Sequence, residues 1–170
     1  MSSGYFIGCL LLAIPYFGIY LKRPDLRREM NIVGLLLLPF AFVSTFYIPE
    51  YWNPPYLFGD PLPFKIGIED FLFMYFIGGI SAVIYEFLKH KKEVKIGKRK
   101  RKILWTPFIF YSLTLLIGEY FFPDKSIVNL IVAGIVIALI MVWKRSDLVI
   151  QSLTAGVLFT VLYFFLFYIF

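Results

Sequence analysis

The sequence predicts an all-α fold, a polytopic transmembrane helical bundle of about six spans. Hydrophobic residues make up 60% of its 170 residues and charged residues only 16%, whereas soluble domains have about 45–50% and about 25%. The apolar runs are long and continuous, and backbone polar groups in lipid must be satisfied within helices or closed barrels. The connecting segments between the apolar runs are also alternately rich and poor in basic residues. These observations argue against a soluble enzyme or a disordered chain.

Six apolar runs have about the 20 residues that a helix needs to cross a bilayer. They cover residues 4–21, 31–48, 66–88, 104–122, 126–143 and 148–170. The first and second flank a basic segment, and the second ends at a proline-rich loop. The third begins with an acidic pair and ends at a second basic segment. The fourth and fifth flank a short polar turn, and a third basic segment precedes the sixth. Pro15, Pro39 and Pro107 lie within three of the runs and can kink them, although kinks are common in membrane helices.

The charge distribution predicts the orientation. Segments 22–30, 89–103 and 144–147 carry 4, 9 and 2 Lys and Arg, whereas segments 1–3, 49–65 and 123–125 carry 0, 1 and 1. Because short cytoplasmic loops are enriched in basic residues, we expect both termini outside and the basic loops inside, in the cell's inner membrane. Residues 89–102 would contact anionic lipid. They lack the aromatic residues typical of nucleic-acid binding, so no nucleic-acid partner is expected.

A short motif recurs in the chain, as KRPDL at residues 22–26 and KRSDL at residues 144–148. Gly34 and Gly156 match at the same offset. The recurrence predicts a parallel three-helix repeat whose last helix is missing. Residues 1–90 would form the first copy of the repeat and residues 126–170 an incomplete second copy. Residues 91–125 would form a basic loop and a linker helix between them. We therefore expect either a truncated chain or a partner that supplies the missing helix.

Acidic residues near lipid are costly and are therefore candidates for function. Glu69 and Asp70 open the third run, in the sequence IGIEDFLF. Acids in a first helical turn can simply cap its free N–H groups. Alternatively, two neighbouring carboxyls in apolar surroundings resist ionising together, so one stays protonated while the other is charged.

Two further acids lie at the ends of runs. Glu86 is 17 residues beyond Glu69, or about 25 Å along a helix, so the two cannot share one reacting centre. It can instead pair with Lys89 or His90. Glu119 ends the fourth run, where it can join the Glu69 site or pair with Lys125.

The loop at residues 49–63 is rich in proline and aromatic residues. Its five prolines predict a rigid segment with few free backbone donors. The loop can act as an interfacial aromatic anchor or as the mouth of a lipid-phase pocket above Glu69.

The sequence contains no G-x-G-x-x-G, Walker or G-x-S-x-G motif. It has one cysteine, Cys9, and one histidine, which excludes a disulfide framework within the chain and a paired-histidine metal site. We therefore predict no cofactor and no metal. Among the kinds of chemistry considered, acid–base chemistry on an apolar substrate is the one that these residues still allow.

Three segments, PEYWNPPYLFG, IGIEDFLF and IYE, resemble the integral-membrane lycopene cyclase domain. This family occurs as paired small subunits or as fused proteins in bacteria, archaea and fungi. Its W-x-x-P loop, P-x-E-E-like helix start and Y-E pair fall on residues 52–55, 69–70 and 85–86. This sequence departs from the family pattern at three positions. Gly67 stands where the family has Pro, Ile68 replaces the residue before the acid pair, and Asp70 stands where Glu is common. The match covers residues 22–88.

The resemblance implies a carotenoid-biosynthesis isomerase (an intramolecular lyase) that cyclises the linear ends of lycopene or a related carotenoid without redox change. It implies Glu69 and Asp70 as the catalytic pair, with the roles of acid and base left open. Ring faces near the pair would stabilise a carbocation. The other expected substrate-binding residues are Trp52, Asn53, Pro54, Tyr56, Phe71, Phe73, Glu86 and Glu119. The expected partners are an apolar carotenoid in the bilayer and a second cyclase subunit.

Two alternatives remain open at this stage. A carotenoid- or lipid-binding membrane subunit without its own chemistry fits the presence of a single acid motif. A small transporter would place its acids near the bilayer midplane, whereas these acids cluster at the ends of the runs. The sequence does not distinguish β from ε ring products, lycopene from longer carotenoids, or one oligomeric state from another.

Overall fold

The computed structural model describes residues 4–46, 48, 54, 56–57, 66–89, 98–144, 146 and 149–168. Nearly all of these residues are helical, and no strand occurs among them, which confirms the predicted all-α bundle. The helices are α1 (Gly4–Lys22), α2 (Arg27–Leu37), α3 (Ile68–Leu88), α4 (Lys98–Phe121), α5 (Ser126–Lys144) and α6 (Val149–Tyr168). Two 3-10 segments, Leu38–Phe46 and Pro123–Lys125, extend α2 and precede α5.

Four segments of the described chain are long and apolar enough to cross a membrane. They are Gly4–Lys22, Arg27–Phe46, Ile68–Leu88 and Pro123–Trp143, and Ile109–Phe121 and Val149–Phe165 are shorter apolar helices. Large apolar side chains are exposed along these helices, among them Ile14, Leu139 and Val157. Such extensive apolar surface is rare on soluble monomers. The fold is therefore compatible with an integral membrane protein.

Pro39 marks a change of helix type in the second span. Proline lacks an N–H donor and its ring clashes with the carbonyl four residues earlier. The α-helix gives way at this point to the 3-10 segment Leu38–Phe46. Pro15 and Pro107, in contrast, lie inside continuous α-helices.

The structure contains two compact units. The first comprises Met1–Glu93 with Leu153–Phe170, and the second comprises Val94–Ser152. In the first unit, α1, α2 and α3 share a buried core, against which residues of α6 pack. The core residues are Leu12, Tyr16, Ile19, Leu26, Met30, Phe76, Ile80, Val83 and Ile84. In the second unit, α4 and α5 form a helical hairpin. The division based on the internal repeat stays a prediction.

Glycines bring α2 and α3 close together. A methyl group at Gly34 would lie 2.8 Å from the Tyr75 carbonyl oxygen, and one at Gly78 would lie 3.2 Å from the Gly34 Cα. A methyl group at Gly79 would overlap the Tyr16 ring and lie 3.3 Å from the Met30 carbonyl oxygen. Helices in lipid associate through such small residues because burial against lipid tails provides little driving force.

A polar cluster joins the same three helices. The hydroxyls of Tyr16 (α1) and Tyr75 (α3) both donate to Asn31 Oδ1 (α2) at 2.9 Å. Asn31 Nδ2 lies 3.4 Å from the Tyr20 hydroxyl oxygen. Buried polar groups are costly without partners, so this cluster favours one rotation of each helix about its own axis.

The KRPDL segment links the α1–α2 turn to the end of α3. Arg23 forms an ion pair with Asp25 at 2.7 Å and donates to the Glu86 carbonyl oxygen at 3.3 Å. The hydrogen bond to Asp25 raises the pKa of Arg23. Leu26 is fully buried in the core. The basic motif therefore has a structural role in the first unit.

Candidate functional site

Glu69 and Asp70, the acid pair, lie in the first turn of α3 and are almost fully buried. Their exposed fractions are 0% and 2%. The start of α1 lies beside them, as does the part of the 3-10 segment that contains Ser44. We call this region of the first unit the acid end. Charged groups are rarely buried so completely without partners, so the surroundings of each carboxyl indicate what it can do.

Asp70 accepts hydrogen bonds from several different parts of the first unit. Tyr5 Oη donates to Oδ1 at 2.8 Å, while Tyr56 Oη and the Gly67 N–H each donate to Oδ2 at 2.8 Å. Ser44 Oγ is also near Oδ1, at 3.4 Å. The bond from Gly67 caps the start of α3, as the capping interpretation predicted. The tyrosyl bonds go beyond capping, because they come from α1 and the loop.

Glu69 has a different environment. Its Oε1 accepts a hydrogen bond from the Leu57 N–H at 2.8 Å. Its Oε2 is buried and has no hydrogen-bond partner among the described residues. Cys9 Sγ lies 3.4 Å from the Glu69 carbonyl oxygen, on the α1 side. The two neighbouring carboxyls therefore differ sharply in hydrogen bonding.

Gly67 makes room for both Glu69 and Tyr56. A methyl group at this position would overlap the Tyr56 ring and lie 2.7 Å from Glu69 Oε2. A proline here would also remove the N–H that bonds Asp70. Burial, together with the bond to Asp70, raises the pKa of the Tyr56 phenol, so Tyr56 remains a neutral donor.

Tyr5 and Tyr56, which donate hydrogen bonds to Asp70, belong to a wider group of aromatic rings. The Tyr5 ring lies 6.0 Å from that of Tyr56 and 6.1 Å from that of Phe73. Phe73 in turn lies 6.4 Å from Tyr163 of α6. Phe71 contacts Phe42 on the 3-10 segment at 5.8 Å. Two of these rings, those of Tyr5 and Tyr56, thus lie beside Asp70.

The loop residues are described only in part. Pro54 is buried, Tyr56 is half-buried, and Leu57 is exposed. Trp52 and Asn53, which the sequence predicted as substrate-binding residues, lie outside the described residues.

Glu86 lies at the opposite end of α3 from Glu69. Its carbonyl oxygen accepts a hydrogen bond from Arg23. The position agrees with the expected separation along the helix, which keeps Glu86 away from the acid pair.

Glu119 lies in the second unit, where it links α4 to α5. Its carboxylate accepts hydrogen bonds from Ser126 Oγ at 2.7 Å and Asn129 Nδ2 at 3.0 Å. Within the described chain, these donors take the place of the predicted Lys125 partner. Asn129 also donates to the Phe122 carbonyl oxygen at 2.9 Å. The arrangement closes the hairpin with a buried polar cluster.

We expect Asn129→Leu to destabilise the second unit by about 1–3 kcal/mol, because a buried carboxylate oxygen and a carbonyl lose their donor. Chemical unfolding of the purified chain in mild detergent measures the change. Val128→Leu, at an exposed neighbouring position, should unfold like the parent. An unchanged midpoint for Asn129→Leu would show that the cluster contributes nothing to stability.

Sequence reasoning identified the acid pair but missed several of its partners. Tyr5, Ser44 and the Leu57 N–H are 65, 26 and 12 residues from the acids that they contact. One sequence feature could have drawn attention to Tyr5. It lies at the start of the first run, and Cys9, four residues later, lies on the same helical face. However, a tyrosine at a span end is equally typical of an interfacial anchor.

The fold and the site together define a class of protein: a small, membrane-compatible helical bundle with a buried pair of unlike carboxyls. Among the described residues, no group of three His, Cys, Asp or Glu side chains is arranged to hold a metal ion. No family model matches this chain, and no curated protein or solved structure is significantly similar to it.

Proposed function

We propose that this protein is a carotenoid cyclase, which cyclises the linear end groups of lycopene or a related carotenoid by acid–base chemistry. The observation that carries the proposal is the buried acid pair, one carboxyl of which has an oxygen with no partner among the described residues. The resemblance of residues 22–88 to the membrane lycopene cyclase domain supports the same reaction class.

The reaction needs three things from the protein. A general acid protonates the terminal alkene, and a base later removes a proton from the cyclised cation. Electron-rich walls must stabilise the cation between these steps. Glu69 and Asp70 supply the two carboxyls. Tyr5 and Tyr56, which donate hydrogen bonds to Asp70, are the nearest described aromatic residues, and the Phe73 ring packs against that of Tyr5. The reaction is an isomerisation and consumes no reductant.

The proposed substrate also suits the position of the site. A linear polyene lies within the bilayer, and the acid pair is at one end of apolar helices. We propose that the acid end faces the outer side and that the basic segments lie in the cytoplasm of the cell's inner membrane, with residues 89–102 on anionic lipid. A second cyclase subunit would complete the pairing known in the resembled family.

Expression in a lycopene-accumulating bacterium tests the proposal. The tagged parent chain, confirmed in the membrane, should convert lycopene to a cyclised carotenoid that chromatography separates. A double variant, Glu69→Gln with Asp70→Asn, should leave lycopene unchanged. If lycopene co-purifies with the parent chain without conversion, pigment binding without chemistry becomes the better account. If it is neither converted nor bound, the proposal is wrong.

A further inference from the structure

We infer that Glu69 is the proton donor, that Asp70 is the proton acceptor, and that Tyr5 is a positioning residue that maintains this division. The inference deepens the proposed function and rests on it. Neither the sequence nor the resemblance distinguishes the two acids, whereas their hydrogen bonds do.

Asp70 has the surroundings of a carboxylate. Its oxygens face two tyrosyl hydroxyls and one backbone N–H at 2.8 Å. The Gly67 N–H can only donate a hydrogen bond. An ionised carboxylate can only accept hydrogen bonds, whereas a protonated carboxyl also carries an O–H donor. Hydrogen bonds of this kind are strongest when the acceptor is ionised. The geometry therefore favours a charged Asp70.

Glu69 has the surroundings of a neutral carboxyl. An ionised Glu69 would leave Oε2 buried without a donor among the described residues, which is costly for a charged atom. It would also place a second negative charge next to Asp70. A protonated Oε2 avoids both costs, and its proton has no described acceptor. In the proposed reaction, this is the proton that passes to the π bond of an apolar substrate.

Tyr5 connects α1 to this arrangement. Its hydroxyl donates to Asp70 Oδ1, whereas Tyr56 and Gly67 both donate to Oδ2. The other group near Oδ1 is Ser44 Oγ at 3.4 Å, a distance at which a hydroxyl hydrogen bond is weak. Tyr5 is thus the principal described donor to one of the two Asp70 oxygens. It acts on the reaction through Asp70.

The proposed steps are balanced. The Glu69 O–H bond breaks, and its proton bonds to the CH carbon of the terminal alkene, which leaves a tertiary cation on the dimethyl-substituted carbon. The electron pair of the internal double bond forms the ring C–C bond and moves the positive charge into the ring. A ring C–H bond then breaks, its proton passes to Asp70, and its electron pair forms the ring double bond. Transfer of one proton from Asp70 to Glu69 resets the pair.

Infrared difference spectroscopy of the purified chain in lipid nanodiscs tests the inference without turnover. The parent should show a protonated carboxyl C=O band that shifts in D₂O. Glu69→Gln should remove this band, whereas Glu119→Gln, at another buried glutamate, should leave it. If Glu69→Gln fails to fold, ¹³C-glutamate labelling of the parent should still shift the band. A band that is absent from the parent, or that Asp70→Asn removes instead, overturns the inference.

Tyr5→Phe tests the positioning role in the same preparation. The Asp70 carboxylate band, identified by its loss in Asp70→Asn, should shift because one donor is gone. In the lycopene-accumulating bacterium, cyclised product from this variant should fall about 10- to 100-fold, the size expected from losing a hydrogen bond to a charged group. Tyr120→Phe, at an exposed position, should change neither quantity. An unshifted Asp70 band in a folded Tyr5→Phe chain overturns the role of Tyr5.

The infrared test addresses the roles of Glu69 and Asp70, and the pigment test addresses the proposed function, so either can fail without the other. The carboxyl bands report the resting protein, whatever its substrate. A parent chain with the expected bands but no cyclised product would contradict the proposed function and leave the protonation states of the two acids standing. Cyclised product from a chain in which Asp70 is protonated and Glu69 is ionised would support the proposed function and contradict the assignment of the two acids.

Discussion

Glu69→Gln is expected to lower the rate of carotenoid cyclisation by about 10²- to 10⁴-fold, the usual contribution of a general acid. The amide has the same shape as the carboxyl and can still accept the Leu57 N–H bond at Oε1. It cannot release the proton that the first step requires. The loss should therefore appear in the chemical step and leave folding intact. Purified chain mixed with lycopene-loaded membranes, sampled over time by chromatography, gives the rate.

A matched control separates this effect from a general loss of charge. Glu29→Gln makes the same change in the first turn of α2, at the opposite end of the first unit, and should retain the parent rate. Helical circular dichroism and elution position should be unchanged in both variants. Full activity of a folded Glu69→Gln chain would remove Glu69 from the mechanism.

Gly79→Leu should prevent the first unit from folding. Even a Cβ at this position would overlap the Tyr16 ring, and it would lie 3.3 Å from the Met30 carbonyl oxygen. Insertion of extra methylenes into a packed core typically costs about 1–3 kcal/mol and occasionally more. We expect a larger cost here, because a whole isobutyl group is added and part of the obstacle is backbone that cannot rotate away. The displaced Tyr16 would also lose its hydrogen bond to Asn31.

Fluorescence-detected size exclusion in mild detergent measures the folded fraction of this variant. Gly134→Leu is the control, since nothing lies within 4 Å of a Cβ at that exposed position of α5. It should elute as the parent does, whereas Gly79→Leu should aggregate or fail to accumulate. Equal monodisperse peaks for the two variants would show that α1 can move away from α3 without loss of the fold.

Composition and charge pattern predicted the apolar part of each helix. However, α2 (Arg27–Leu37) and α4 (Lys98–Phe121) begin within the segments that were predicted to be basic connections. Lipid requires each spanning segment to satisfy its own backbone, so an apolar run of sufficient length becomes a helix whatever its neighbours are. The predicted run at residues 66–88 and the observed α3 (Ile68–Leu88) differ by two residues at the start. There, the Gly67 N–H bonds Asp70 instead of continuing the helix. Pro39 similarly marked the position where the helix type changes.

The sequence could also identify the acid pair as a candidate site, because adjacent acids at the edge of an apolar run are unusual in themselves. It could not assign separate roles to Glu69 and Asp70. Those roles depend on donors from α1, the 3-10 segment and the loop. The Tyr5–Asp70 hydrogen bond alone spans 65 residues. Local patterns carry no information about such distant partners.

Glu119 illustrates the same limit in the second unit. Its sequence neighbours suggested a pairing with Lys125, and the hairpin geometry instead brings Ser126 and Asn129 to its carboxylate. The sequence by itself thus determined which apolar segments are helical and which acids lie near their ends, because both follow from the local balance of apolar and charged groups. Only the tertiary structure decided which donors each carboxyl faces, because hydrogen bonding depends on distances between atoms that chain folding alone brings together.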